Sequence, residues 1–316
     1  MKKVIIKTII FLFILSSLLI LLLLVSNNVI KNKVFVKINP KSEFIIIGHS
    51  HPEVALNDSL IDNFSNCAAS AESYFYSYQK LKKIIEQNKN IKVVFIEFSN
   101  NQINEEINNW IWDDEHLSVR YPRYAPLLDF KEHKILLEKN PSGFVNALSL
   151  SLNRNLNNLL YRNYDFSALR NGYLKKHGSK VDSLIKALYT KPCLEKSMGG
   201  TSVVNIEYLK KIIKFCNEQN KKVFLMRCPL HRMYPMLSNE KIYRNYVLDT
   251  FSKTEYLDFK DFPLKDSDFY DFDHLNVHGA IKFSVFFNNL IKDGLLESTD
   301  KQKFIYEQQI EGTKEK

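Results

Sequence analysis

The chain has 316 residues, of which 45% are hydrophobic and 25% charged, with a formal net charge of +9. Seven of its 44 basic residues and none of its acids lie in residues 1–41, leaving 37 bases against 35 acids in the remainder. That near balance removes the case for a nucleic-acid-binding protein, while the ordinary hydrophobic content is enough for one large domain with a full core.

The first element is a membrane helix. Lys2, Lys3 and Lys7 surround or precede an apolar run of 18 residues from Thr8 to Val25, broken only by Ser16 and Ser17, which is close to the minimum for crossing the hydrocarbon. Val25-Ser26-Asn27-Asn28 lacks a small-x-small cleavage pattern, so residues 1–30 are expected to be a retained anchor rather than a removed signal. Lys2 and Lys3 favour a cytoplasmic start, although Lys31, Lys33 and Lys37 beyond the helix reduce the asymmetry. The expected arrangement is a single-pass membrane protein with its main domain outside the cytoplasm and a basic flank able to touch anionic lipid.

From residue 42 to 296 the pattern is that of an α/β domain. Glu43 to Gly48 reads as a buried parallel strand delivering a loop, Tyr74, Tyr78, Leu81, Ile84 and Ile85 recur at helical spacing, and Ile91 to Phe98 returns to a β-rich run. Later, Leu209, Ile212, Ile213 and Cys216 mark a helix, Lys222 to Met226 and Glu255 to Phe259 two strands, and Phe283, Phe286, Phe287, Leu290 and Ile291 one face of a last helix. This alternation predicts an open parallel sheet with helices on both sides and ligands beyond the carboxyl ends of the strands. Residues 103–200 interrupt it with asparagine-rich, mostly helical sequence, expected to form a cap or insertion, and residues 297–316 read as a polar, peripheral tail.

Cys67, Cys193, Cys216 and Cys228 lack CxxC spacing and sit in apolar surroundings, so no zinc cluster follows; one disulfide, with Cys216 and Cys228 as a candidate pair, stands beside free buried thiols. Trp110 and Trp112 in the insertion could line a sugar-binding wall or fill the core of the cap.

Chemistry concentrates at the two ends of the domain. Gly48-His49-Ser50 follows the first strand, and Asp271-Phe272-Asp273-His274 precedes the last helix. A serine hydroxyl becomes a nucleophile when a histidine takes its proton, and the i, i+3 spacing lets Asp271 reach Nδ1 of His274 while Nε2 faces the serine. A rival metal reading pairs His49 with His51 and His274 with His278, yet no glutamate lies between the second pair as in a zinc-protease helix. The expectation is therefore a site without metal or cofactor.

Over residues 43–102 and 203–293 the chain resembles the SGNH (GDSL-type) hydrolases. Gly48-His49-Ser50 matches that family's Gly-Asp-Ser block with histidine in place of aspartate, and Asp271-x-x-His274, followed by Leu275-Asn276-Val277-His278-Gly279-Ala280, matches its last block. The resemblance implies a three-layer α/β/α flavodoxin-like fold, with Ser50 as nucleophile, His274 as base and Asp271 as its orienter. It also implies an oxyanion hole from the backbone of Ala71, where the family has glycine, and from Asn101, with Asn100 one residue away. The implied activity is acyl-ester hydrolysis or O-acyl transfer on a cell-envelope carbohydrate or lipid; the departures at His49 and Ala71 motivate the alternative of a non-catalytic glycan-binding or scaffolding protein on the same fold.

Overall fold

The computed structural model describes residues 1–170, 172–190 and 199–314. Five short strands, β1 (Phe44–Ile47), β2 (Phe64–Asn66), β3 (Val93–Glu97), β4 (Lys222–Arg227) and β5 (Glu255–Asp258), form one parallel sheet in the order β2-β1-β3-β4-β5. In chain order the helices are α1 (Lys2–Lys33), α2 (Ser50–Ala55), α3 (Tyr74–Gln87), α4 (Asn109–Trp112), α5 (Asp114–Tyr124), α6 (Phe130–Lys139), α7 (Pro141–Leu160), α8 (Val181–Thr190), α9 (Val203–Glu218), α10 (Glu240–Asn245), α11 (Val277–Lys292) and α12 (Lys301–Lys314).

The chain divides into two units. One comprises residues 37–108 and 167–316 and contains the sheet. Apart from the first residues of β1 and β4, its central strands are buried, which is why they read as continuous apolar runs rather than as alternation. Ile46, Phe95, Phe224, Met226 and Leu257 pack with Phe283, Phe287 and Leu290 of α11 in one cluster. Strand side chains alternate between faces, so Ile45, Ile47, Val94 and Ile96 point to the opposite side of the sheet. There α9 packs on β4 and α3 packs on α9, burying Leu81, Ile84, Leu209 and Ile212.

The polar tail expected over residues 297–316 is partly core. Ile305 of α12 is fully buried in the α11 cluster, and the Gln302 side-chain amide accepts from the Asp258 N–H (3.1 Å) and donates to the Asp258 carbonyl (3.0 Å). That amide completes hydrogen bonds the sheet leaves open at its β5 edge. The composition of the segment concealed this, because a few scattered residues make the attachment: Ile305 and Phe304 at the cluster, Gln302 on Asp258 and Lys301 on Glu255.

The second unit comprises residues 1–36 and 109–166. Residues 1–22 of α1 are exposed around the whole helix, and the helix is long and apolar enough to cross a membrane. At about 1.5 Å per residue it reaches roughly 48 Å, against about 30 Å of hydrocarbon. The surplus has a use: Leu23, Ser26, Asn27 and Ile30 are buried, and Asn155 of α7 donates to Ser26 Oγ (3.1 Å) and Asn27 Oδ1 (2.6 Å). Helices α5, α6 and α1 all pack on α7.

The insertion expected over 103–200 is therefore divided. Residues 109–166 fold with α1, whereas 103–108 and the described residues after 166 belong with the sheet. Backbone hydrogen bonds explain the division: Ser202 N–H donates to Ile103 O (2.9 Å) and Leu174 N–H to Glu53 O (2.8 Å). Both tryptophans are half-buried on either side of buried Ile111, with the Lys139 ammonium over the Trp112 ring. Cys67, Cys216 and Cys228 are free and buried, so Cys216 and Cys228 form no disulfide; burial pushes the Cys67 thiol up to about 11 and the Cys216 thiol to about 12. Cys193 lies outside the described residues.

Candidate active site

The site lies at the carboxyl ends of β1 and β3. These neighbouring strands lead away in opposite directions, β1 to β2 and β3 to β4, so the crevice between them is the topological switch point where open α/β sheets bind ligands. β1 ends at Gly48, whose φ of +146° and position allow no side chain: a Cβ there would lie 2.5 Å from the Glu97 Cβ. The chain then turns into α2, with His49 as its N-cap and Ser50 as its first residue.

Ser50 meets the loop before α11. Its Oγ is 2.8 Å from His274 Nε2, and His274 Nδ1 is 2.9 and 3.1 Å from the two Asp271 oxygens. Asp271 is itself held, because its Oδ1 accepts from the backbone N–H groups of Asp273 (2.9 Å) and His274 (2.8 Å). Burial alone would raise the Asp271 carboxyl; the hydrogen bond and charge of His274, with those two amides, outweigh it and hold it below the ordinary carboxylate range. Neighbouring Asp273 goes the other way, raised by burial and by the Asp271 charge despite His274. The Asn276 side chain caps α11 by accepting from His278 and Gly279 N–H.

Ala71 and Asn101 approach by separate routes. Ala69 N–H donates to Gly48 O (3.0 Å), which lays residues 69–71 beside the Ser50 loop. Ala71 has φ +51°, the left-handed conformation that suits glycine, and its N–H makes no hydrogen bond among the described residues. Asn101 is half-exposed, its Oδ1 accepts from Ser99 Oγ (2.7 Å), and its Nδ2 has no hydrogen bond among the described residues. The rival Asn100 is fully buried and occupied elsewhere: its Oδ1 accepts from Arg227 (3.0 Å) and its Nδ2 donates to Glu240 (2.8 Å) and Asn239 (3.0 Å). Arg227 is also bound by Asp258 and Glu240, a buried ion cluster that fixes Asn100 away from Ser50.

Several neighbours were not distinguishable from the sequence. Glu97, at the end of β3, is fully buried with His49 Nε2 2.9 Å and His51 Nδ1 3.6 Å away. Burial would raise its carboxyl, but the two imidazoles beside it, His49 first, bring it far below the ordinary range. His51 falls to about 4 through burial and the His49 charge, which together outweigh Glu97. His49, His51 and Glu97 could jointly hold a metal ion, whereas His274 and His278 do not pair as ligands: His274 precedes α11 and His278 is exposed. Tyr234 packs edge-on against His51, with its buried hydroxyl unpartnered among the described residues. Residues 174–180 form a strap across the rim, joined to Glu53 O by Leu174 N–H, to Tyr270 O by Lys180 N–H (2.6 Å) and to Val277 N–H by Lys176 O (2.9 Å).

This arrangement provides a half-buried hydroxyl, a base on it and a carboxylate that fixes the base, which is the equipment for acyl transfer. A model of an uncharacterised protein family matches residues 160–296, the part of the chain that holds the Asp271–His274 loop but not Ser50. No curated protein matches the chain.

Proposed function

We propose that the protein is a membrane-anchored serine acyl-ester hydrolase or O-acyltransferase of SGNH type that works outside the cytoplasm on an acylated carbohydrate or lipid of the cell envelope. The observation that carries this reading is the Ser50–His274–Asp271 line, with Oγ–Nε2 at 2.8 Å and Nδ1–Oδ1 at 2.9 Å. The sheet order is also that of flavodoxin-like folds, and α1 supports a location at a membrane.

In this mechanism Ser50 Oγ attacks the ester carbonyl while its proton passes to His274 Nε2, and Asp271 holds the Nδ1–H and the positive imidazolium. The Ser50 and Ala71 N–H groups and Asn101 Nδ2 stabilise the oxyanion. His274 then gives its proton to the departing alcohol. The acyl group left on Ser50 passes to water in hydrolysis or to a second hydroxyl in transfer, with His274 again taking the proton.

A fluorophosphonate probe tests the reading on the full chain in detergent. Labelling of the wild type that disappears in Ser50→Ala is the expected result. A folded wild type that does not label would favour the scaffolding alternative.

A further inference from the structure

We propose that Glu97 and His49 form a second carboxylate–imidazole pair on Ser50, one that positions the nucleophile and ties it to Asn101. The inference rests on the reading of Ser50 as nucleophile. His49 is fully buried, so no substrate or solvent reaches it, yet its Nδ1 is 3.3 Å from Ser50 Oγ. The same Nδ1 is 3.4 Å from the His51 backbone N–H, which can only donate. Nδ1 must then carry a lone pair, and the proton of a neutral ring sits on Nε2, 2.9 Å from Glu97 Oε2 in a close but bent contact. Both ends of the ring require the same tautomer.

Ser50 thus has two acceptors for one hydroxyl proton, His274 Nε2 at 2.8 Å and His49 Nδ1 at 3.3 Å. The nearer ring is exposed enough to exchange protons with a substrate, at 18% of its side-chain surface, and does the transfer. The buried ring offers the hydroxyl its second acceptor before the transfer, which fixes where Oγ sits. Glu97 extends the arrangement to the opposite wall. Its Oε2 accepts from Gln102 Nε2 (3.2 Å), and its Oε1 faces His51 Nδ1, which is 3.4 Å from the Ser99 hydroxyl that donates to Asn101. Gly48 lets β1 approach Glu97 closely enough for the pair to form.

Two measurements on the full chain in detergent micelles test this. In long-range 1H–15N spectra of histidine-labelled protein, His49, assigned by its loss in His49→Gln, is expected as the Nε2–H tautomer, with Nδ1 moving in Ser50→Ala and Nε2 moving in Glu97→Gln. An Nδ1–H tautomer, an Nδ1 signal indifferent to Ser50→Ala, or stoichiometric zinc lost in Glu97→Gln would overturn the proposal. In the second measurement, His49→Asn, whose Oδ1 replaces Nδ1, is expected to keep fluorophosphonate labelling within about threefold, whereas His49→Gln slows it by roughly tenfold or more. Equal losses at equal Tm would also overturn it. Absence of labelling in the wild type would refute the acyl-transfer reading alone, because the tautomer is read without substrate.

Discussion

Ser50 and His274 are 224 residues apart in the chain, yet Oγ and Nε2 are 2.8 Å apart in the fold. The contact is made by two rigid devices, the Gly48 turn after β1 and the Asp271 loop whose carboxylate is held by two backbone amides.

Replacing Asp271 by Asn should preserve the loop while removing the charge that selects the His274 tautomer. The expected outcome is a fall in fluorophosphonate labelling or ester turnover of about 10³–10⁴-fold with little change in Tm. Stopped-assay labelling rates alongside thermal melts would check this; a loss below tenfold would mean that Asp271 does not orient the base.

Asn101 and Asn100 should separate activity from stability. Asn101→Ala is expected to lower kcat by roughly 10²–10³-fold, the effect of losing one oxyanion donor, with a smaller loss of stability than Asn100→Ala because it removes only the bond from Ser99. Asn100→Ala should cost about 1–3 kcal/mol of stability, because it removes a buried amide that accepts from Arg227 and donates to Glu240 and Asn239. Denaturant melts and turnover of the two variants should give opposite rankings.

Ala71 and Gly48 should respond in opposite directions to exchange of glycine and alanine. Ala71→Gly relieves a left-handed backbone and is expected to stabilise by up to about 1 kcal/mol, the relief being partly offset by unfolded-chain entropy. Gly48→Ala drives a Cβ into Glu97 and is expected to cost on the order of 3 kcal/mol or more. Chemical denaturation of both variants measures the difference.

His51 should make the fold acid-sensitive. Its folded pKa of about 4 lies below the ordinary value of 6.5, so the unfolded chain binds more protons between those values. Stability from this group is present above pH 6.5 and is lost as pH falls toward 4, by about 3 kcal/mol in all. In His51→Asn the Tm should vary less across that window; an unchanged slope would remove His51 as the cause.

Four of the five strands and the ends of the site were legible because they are written locally, whereas β2, only three residues long, was not. Phe44–Ile47 and Val93–Glu97 are apolar runs with turn signals after them, and Asp271 and His274 are three residues apart. Glu97 was not legible: it closes an apolar strand like any polar boundary residue, and its partners arrive from the N-terminus of α2 after β1. The choice between Asn100 and Asn101 likewise depends on Arg227, which is 127 residues from Asn100. The limits of the inserted unit escaped because its partner is α1, an element whose composition announces only a membrane.

The docked end of α1 makes the membrane-length helix part of the folding of its own unit. Cutting the chain after Val25, as a signal peptidase would, removes Leu23 from its buried seat and severs the covalent link that holds Ser26 and Asn27 in helical register beneath Asn155. Asn155 would be left with a buried amide and no assured acceptor, at a cost of about 1–3 kcal/mol, in addition to about 2 kcal/mol for exposing Leu23. The N-terminal helix is thus a structural member of its own unit, and a shortened chain would have to begin upstream of Leu23 to keep that unit intact.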